Sequence, residues 1–426
     1  MKLKKSNQYL KRAEKVIPAL SQTFSKAPYS YVKGVYPVYL ESGKGSHVFD
    51  VDGNEFIDYV LGLGPIGLGY CYKPVDRAII KQLSNGISFS MPHYLEVEFS
   101  EKLQKIIPGA EMVRFSKTGS DSVTACVRAA RAFTGKDHIL YTGHGGVWHD
   151  WFTGITSRNQ GVPKFNNDLI NVFKYNDIED LKKAFARNQG KVAAVVMEPM
   201  WLDYPDKSYL QEVKEITHKN DAVLVFDEVL TGFRLANGGA QELLKTEADL
   251  VAFGKAIGNG MPLGAITGKE EYMKKFNDVF YSTTFAGETL SLAAGIAVVN
   301  EYLTKNVISH TWKMGQMLKD GINSLGKEIG VKVEWLGTPV RGAITFSQVG
   351  ESMPKLLRSI FLQECIKKGI MFGPGETLIS YSHSKKDVKE ALDACENALQ
   401  KIHKGIQNNT LKKLLEGEEM KTVMTF

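Results

Sequence analysis

The chain has 426 residues, 43% hydrophobic and 23% charged, enough for two or three domains with sizeable cores. No stretch approaches the roughly 20 uninterrupted apolar residues of a membrane span, and the basic start Met1-Lys-Leu-Lys-Lys-Ser lacks the apolar run of a secretory signal. The net charge of +6 is spread along the chain, which excludes the clustered footprint of a nucleic-acid binder; Cys71, Cys126, Cys365 and Cys395 are too dispersed for a disulfide frame or zinc site and read as reduced cytoplasmic thiols.

Residues 1–65 read as a helix, an irregular segment and a β-hairpin, with Asp52-Gly53-Asn54 supplying the turn before Glu55-Phe-Ile-Asp-Tyr-Val60. From about 74 to 300, helices alternate with short apolar strands. The candidates are Met112–Ser116, His138–Tyr141, Ala193–Met197, Ala222–Phe226, Leu250–Phe253 and Leu263–Thr267. Near-continuous apolar strands between amphipathic helices predict a mostly parallel sheet covered on both faces. A helix is expected over about 288–326. A mixed pattern follows, with strands at Lys332–Trp335, Gly342–Phe346 and Leu378–Tyr381 and a helix from Lys385 to about His403. The predicted divisions are 1–65, 66–325 and 326–426, the last an α+β domain.

Ligands of an open parallel sheet sit at the carboxyl ends of its strands, and four such ends carry suggestive residues. Ser116-Lys-Thr-Gly119-Ser120-Asp-Ser122 opens a helix, so its backbone N–H groups and hydroxyls can hold a phosphate; an ordinary helix cap is the plain alternative. Asp227 ends a strongly apolar strand and needs a cationic partner, either Arg234 or a protonated pyridine nitrogen. Glu198 is a third strand-end acid, suited to orienting a neighbour or touching substrate. Lys255 ends Leu250–Gly254, walled by glycine. A desolvated lysine there is primed to form a Schiff base with a carbonyl such as that of pyridoxal phosphate, unless it snorkels to solvent. Phosphate cup, aspartate and lysine in that order are what a pyridoxal-phosphate site requires.

Two decoys fall away. Gly62-Leu-Gly64-Pro-Ile-Gly67 matches a dinucleotide fingerprint in letters, but no helix opens at its third glycine. His144 and His149 share a loop without a third ligand at metal spacing, so no catalytic metal is expected.

The chain resembles the class III aminotransferases of fold type I, and within them glutamate-1-semialdehyde 2,1-aminomutase-like proteins. The resemblance rests on Val48-Phe-Asp-Val-Asp-Gly53, Phe226-Asp227-Glu228-Val229-Leu-Thr-Gly-Phe-Arg234, Gly254-Lys255-Ala-Ile-Gly-Asn-Gly-Met-Pro-Leu-Gly264 and Thr283-Thr284-Phe285-Ala-Gly287. It implies an α/β fold, with a large domain bearing the mostly parallel sheet and a smaller α+β domain from both termini. It also implies pyridoxal 5'-phosphate as cofactor, an amine donor and a carbonyl acceptor as substrates, and a homodimer with shared active sites. Residue by residue, Lys255 would carry the cofactor aldehyde and Asp227 would partner the pyridine nitrogen. Val229 would pack on the ring, Gly119 and Ser120 would cup the phosphate, and Thr284 would reach the partner subunit's phosphate. Trp148 would stack on the ring with His149 beside it, and Glu198 would lie on the cofactor's side of the site.

Departures bear on the substrate. The mutases carry an N-terminal Ser-Pro-Val-Arg whose arginine binds the substrate carboxylate, and Ser21-Gln-Thr-Phe-Ser-Lys26 stands here instead. Trp148-His-Asp-Trp151 with Thr156-Ser-Arg-Asn159 resembles aminotransferase-like proteins of cell-surface sugar pathways. The expected reaction is therefore transamination, with an intramolecular aminomutase as the alternative. Arg341, Arg158 and Lys26 are the candidate anion binders.

Overall fold

A computed structural model describes residues 1–143, 145–348 and 353–421. The chain divides into two units: Met1–Tyr72 with the segment from Ser309 onward, and the intervening Lys73–Ile308. These divisions fall at 72/73 and 308/309, against the expected 65 and 325. One cause is local. The helix expected over 288–326 is two helices, Thr289–Thr304 and Val307–Ile329, separated where Lys305 turns to an extended conformation.

In the terminal unit, β1 (Leu40–Lys44), β2 (His47–Asp50) and β3 (Glu55–Asp58) form an antiparallel meander. The run 38–50, expected as one arm of a hairpin, is itself folded back at Gly45, whose φ of +62° suits a residue without a side chain.

Among the described residues, the intervening unit contains a seven-stranded sheet. Its strands are β4 (Met112–Ser116), β5 (His138–Thr142), β6 (Ile170–Val172), β7 (Val192–Met197), β8 (Val223–Asp227), β9 (Leu250–Phe253) and β10 (Gly264–Gly268). Their spatial order is β4-β10-β9-β8-β7-β5-β6. Strands β6, β5, β7, β8 and β9 run parallel, and β10 is antiparallel to both β9 and β4. Every residue of β7, β8 and β9 is buried, as expected for strands covered on both faces. The short β6 lay below the apolar signal: Asn171 and the exposed Val172 leave little of a core strand.

The helix Gly119–Thr134 packs its Val123, Cys126, Val127 and Ala130 into this unit's core beside Ile139, Ala194, Val225 and Ala252. It starts sharply because Thr118 accepts the Asp121 N–H while Asp121 accepts the Thr118 N–H. It stops at Gly135, which turns left-handed at φ +67°.

The chain then returns to the terminal unit with β11 (Val333–Thr338), β12 (Arg341–Phe346), β13 (Ile370–Met371) and β14 (Thr377–Leu378). Strand β13 pairs parallel to β3, and β11-β12-β14 form a separate antiparallel sheet. The helices Pro354–Lys367 and Lys385–Gln407 complete a core that includes Trp335, Phe361 and Leu399. No helix among the described residues is long and apolar enough to cross a membrane.

Candidate active site

Three strand-to-turn junctions of the large sheet meet at one point. β4 leads into Gly119, β8 ends on Asp227 and leads to Val229, and β9 leads through Gly254 to Lys255. A Cβ on Gly119 would stand 2.4 Å from Cγ1 of Val229. One on Gly254 would stand 3.2 Å from the same methyl and 3.4 Å from the Gly119 Cα. The glycines therefore let the Val229 side chain and two backbones pack directly together. Lys255 follows with φ +49°, a left-handed conformation that a lysine adopts only under constraint from its surroundings.

Asp227 is 8% exposed, and its Oδ1 accepts the Val229 N–H at 3.0 Å. Its Oδ2 lies 3.1 Å from where a Cβ on Gly145 would begin. The loop after β5 thus runs across the carboxylate. Glu198, 5% exposed just after β7, lies against Gly143 of the same loop, its Cβ 3.2 Å from a would-be Gly143 Cβ.

Ser120 joins the helix start to that loop. Its hydroxyl donates to the Gly146 carbonyl and accepts the Trp148 N–H, both at 3.4 Å. His149 approaches the Thr124 hydroxyl at 2.6 Å, and the Trp151 indole N–H donates to the same oxygen at 2.9 Å. Trp148, expected to stack on the cofactor ring, is 68% exposed, with His149 4.2 Å away between ring centroids. Among the described residues of this loop, Gly145 lies beside Asp227. His144 lies outside the described residues. Among those described, no group of three His, Cys, Asp or Glu residues could hold a metal.

Thr284 does not join this cluster. It is exposed, on the wall of a separate cavity of about 600 Å³ with Phe89, His93, Arg114, Tyr281 and Glu288. Of the anion candidates, Arg341 is buried and forks both Nε and Nη2 onto Glu376 Oε1, at 3.0 and 2.6 Å. Arg158 is exposed, and Lys26 is exposed on the rim of an approximately 510 Å³ cavity within the terminal unit.

Two neighbours of the site escaped the sequence reading. Glu228, fully buried, accepts the Ala240 and Gln241 N–H groups at 2.8 and 2.7 Å and the Thr231 hydroxyl. Burial pushes its carboxyl up to about 7 against these hydrogen bonds, so it braces the turn after β8. Tyr141, at the end of β5, accepts the Gly145 N–H at 2.8 Å. Applied to every strand, the strand-end rule would have flagged it.

The family model for class-III aminotransferases matches residues 29–402. The chain belongs to that family. It is 33% identical to the 3-aminobutyryl-CoA aminotransferase of Cloacimonas acidaminovorans over 95% of this chain and 99% of that one. It is 34% identical to a glutamate-1-semialdehyde 2,1-aminomutase of Acetivibrio thermocellus, covering 92% and 97%. An omega-transaminase from Sphaerobacter thermophilus superposes with TM-score 0.86 at 27% identity, over 93% of this chain and 97% of that one. The FumI protein of Sphingopyxis sp. MTA144, solved in its PLP internal aldimine form, shares the fold at TM-score 0.89 and 23% identity, covering 98% and 99%. The family's fold, fold type I, is the one described above.

Proposed function

We propose that this enzyme uses pyridoxal 5'-phosphate to move an amino group from an amine donor to a carbonyl acceptor. The observation that carries the reading is the convergence of Gly119, Val229, Gly254 and Lys255 beside a buried Asp227. The donor set fits the cofactor. Amides at the start of a 16-residue helix, with the Ser120 hydroxyl, suit a phosphate. The Asp227 carboxylate suits a protonated ring nitrogen, and the Val229 methyls suit a ring face. Glu198 and the loop carrying Trp148 and His149 border the Asp227 side.

When bound, the cofactor supplies a sink for the electron pair left on the substrate carbon. Lys255 Nζ would hold the cofactor's aldehyde and, when not so engaged, would be the base that takes up the proton from the substrate carbon. Asp227 keeps the ring nitrogen positive, because a carboxylate shielded from water favours a cation beside it. A substrate that gives up its amine in one half-reaction leaves the site for a carbonyl acceptor in the next.

An intramolecular aminomutase is the second reading, favoured by relatives of that name. Against it stands Ser21–Lys26, which lacks the arginine expected of a mutase. A screen of amine donors and carbonyl acceptors followed by cofactor absorbance separates them. Transamination predicts that a donor alone bleaches the visible band and an acceptor restores it. Product formed from a single substrate, with no external acceptor consumed, would favour the mutase.

We also propose a homodimer, with Thr284 reaching the partner's phosphate. Ile87, Phe89, Met91, Tyr94, Phe280 and Phe285 are all exposed on the large-sheet unit and offer apolar side chains for a second copy to cover. The unpaired thiols of Cys71, Cys126, Cys365 and Cys395 support a cytoplasmic location.

A further inference from the structure

We infer that Tyr141 is a positioning residue for Asp227: its hydroxyl fastens the Gly145 backbone across the carboxylate and keeps water from it. The inference rests on the proposed use of pyridoxal phosphate and adds a residue for which neither the sequence motifs nor the family resemblance supplies a role. Tyr141 is 2% exposed at the carboxyl end of β5, and its ring meets Phe152 edge-on at 4.9 Å, which fixes the hydroxyl's direction. The Gly145 N–H donates to that hydroxyl at 2.8 Å.

The space at Gly145 shows how closely the two groups flank the chain. A Cβ there would stand 2.9 Å from the phenol oxygen and 3.1 Å from Asp227 Oδ2, so only a glycine fits between them undisturbed. On the other side, a Cβ at Gly143 would stand 3.3 Å from the phenol oxygen and 3.2 Å from the Glu198 Cβ. The phenol oxygen and the two strand-end acids thus crowd one short stretch of backbone.

Among the described residues, the ionisable groups that act on the phenol are Asp227 and Glu198, and Asp227 also acts on Cys126 of the Gly119 helix. Burial, then the charges of Asp227 and Glu198, keeps the phenol protonated. Burial, then the Asp227 charge, likewise keeps Cys126 a thiol. Tyr141 is therefore a neutral clamp. A phenylalanine retains the ring and leaves the Gly145 N–H without its acceptor. Water then reaches Asp227, and a solvated carboxylate holds a cation less strongly.

The test uses the full-length holoenzyme and its Tyr141→Phe variant. Equilibrium dialysis gives the pyridoxal-phosphate dissociation constant, and nitrogen NMR of ring-labelled cofactor followed across pH reports on its ring nitrogen. Loss of one buried hydrogen bond predicts a dissociation constant raised about three- to tenfold and a titration midpoint moved to lower pH. Gly145→Ala, which crowds the same two oxygens from the loop side, should move both readouts the same way. The double variant should show less than the sum of the two effects. Gly145→Ala alone serves if Tyr141→Phe fails to fold. Wild-type values in Tyr141→Phe, or fully additive effects, would overturn the inference. A wild-type enzyme that binds no pyridoxal phosphate would overturn the proposed function instead.

Discussion

At the scale of single residues, Asp227 and Lys255 carry most of the chemistry in the proposed reaction, and their environments explain why. Asp227 is held by a backbone amide at the end of a wholly buried strand, and Lys255 is bent left-handed directly after a glycine. Asp227→Ala should leave the fold intact but lower turnover by orders of magnitude, measured by steady-state kinetics at saturating cofactor; near-normal rates would refute its role. Both residues were legible in the sequence, since a charge closing an apolar strand is conspicuous. Counting along a loop does not fix which residue faces the site: Trp148 donates its backbone N–H to Ser120 while its side chain is exposed. Tyr141 and Glu228 were missed for another reason: both hold backbone N–H groups, and only position at a strand end, not spacing, marks such residues in a sequence.

At the scale of elements, the start of the Gly119 helix is a tight junction. Gly119→Ala places a methyl 2.4 Å from Val229, and overpacking of this kind typically costs about 1–3 kcal/mol. Cofactor affinity should fall roughly ten- to a hundredfold if that displacement is borne by the site. Gly146→Ala, whose Cβ would meet nothing within 4 Å, is the control. Dialysis on both variants decides, and equal affinities would show the junction to be slack. In the terminal unit, His383 is fully buried, its Nδ1 accepting the Ser380 N–H at 3.0 Å and its ring stacked on Tyr59. Burial drives its pKa down to about 4. Only the unfolded chain takes up a proton between about 6.5 and 4, so this contribution to stability is present above 6.5 and lost as the pH falls to 4. The loss amounts to about 3 kcal/mol. Denaturant midpoints across that window should fall more steeply for the wild type than for His383→Phe; parallel profiles would exclude the histidine as the cause.

At the scale of the whole molecule, the sequence predicted the large parallel sheet well because both its faces are covered and its strands are continuously apolar. The antiparallel run of β10 was beyond its reach, since strand direction depends on how the connecting turn folds rather than on composition. The two-residue β13 carries no periodicity to read, and β14 is Thr377–Leu378 where a strand was expected over Leu378–Tyr381. Assembly is a prediction at this scale too. Phe280 is 83% and Met91 77% exposed, and burying them against a second copy would make the dimer. Sedimentation should give a dimer for the wild type, and Phe280→Glu with Met91→Glu should shift it toward monomer with loss of activity. An active wild-type monomer would remove any need for a shared site.

The central claim is a covalent link between one lysine and one cofactor. Borohydride reduction of the purified enzyme makes that link permanent, and peptide mapping locates it. A pyridoxyl group on the peptide containing Lys255 is the expected result; a label on any other lysine, or none at all, would contradict the account.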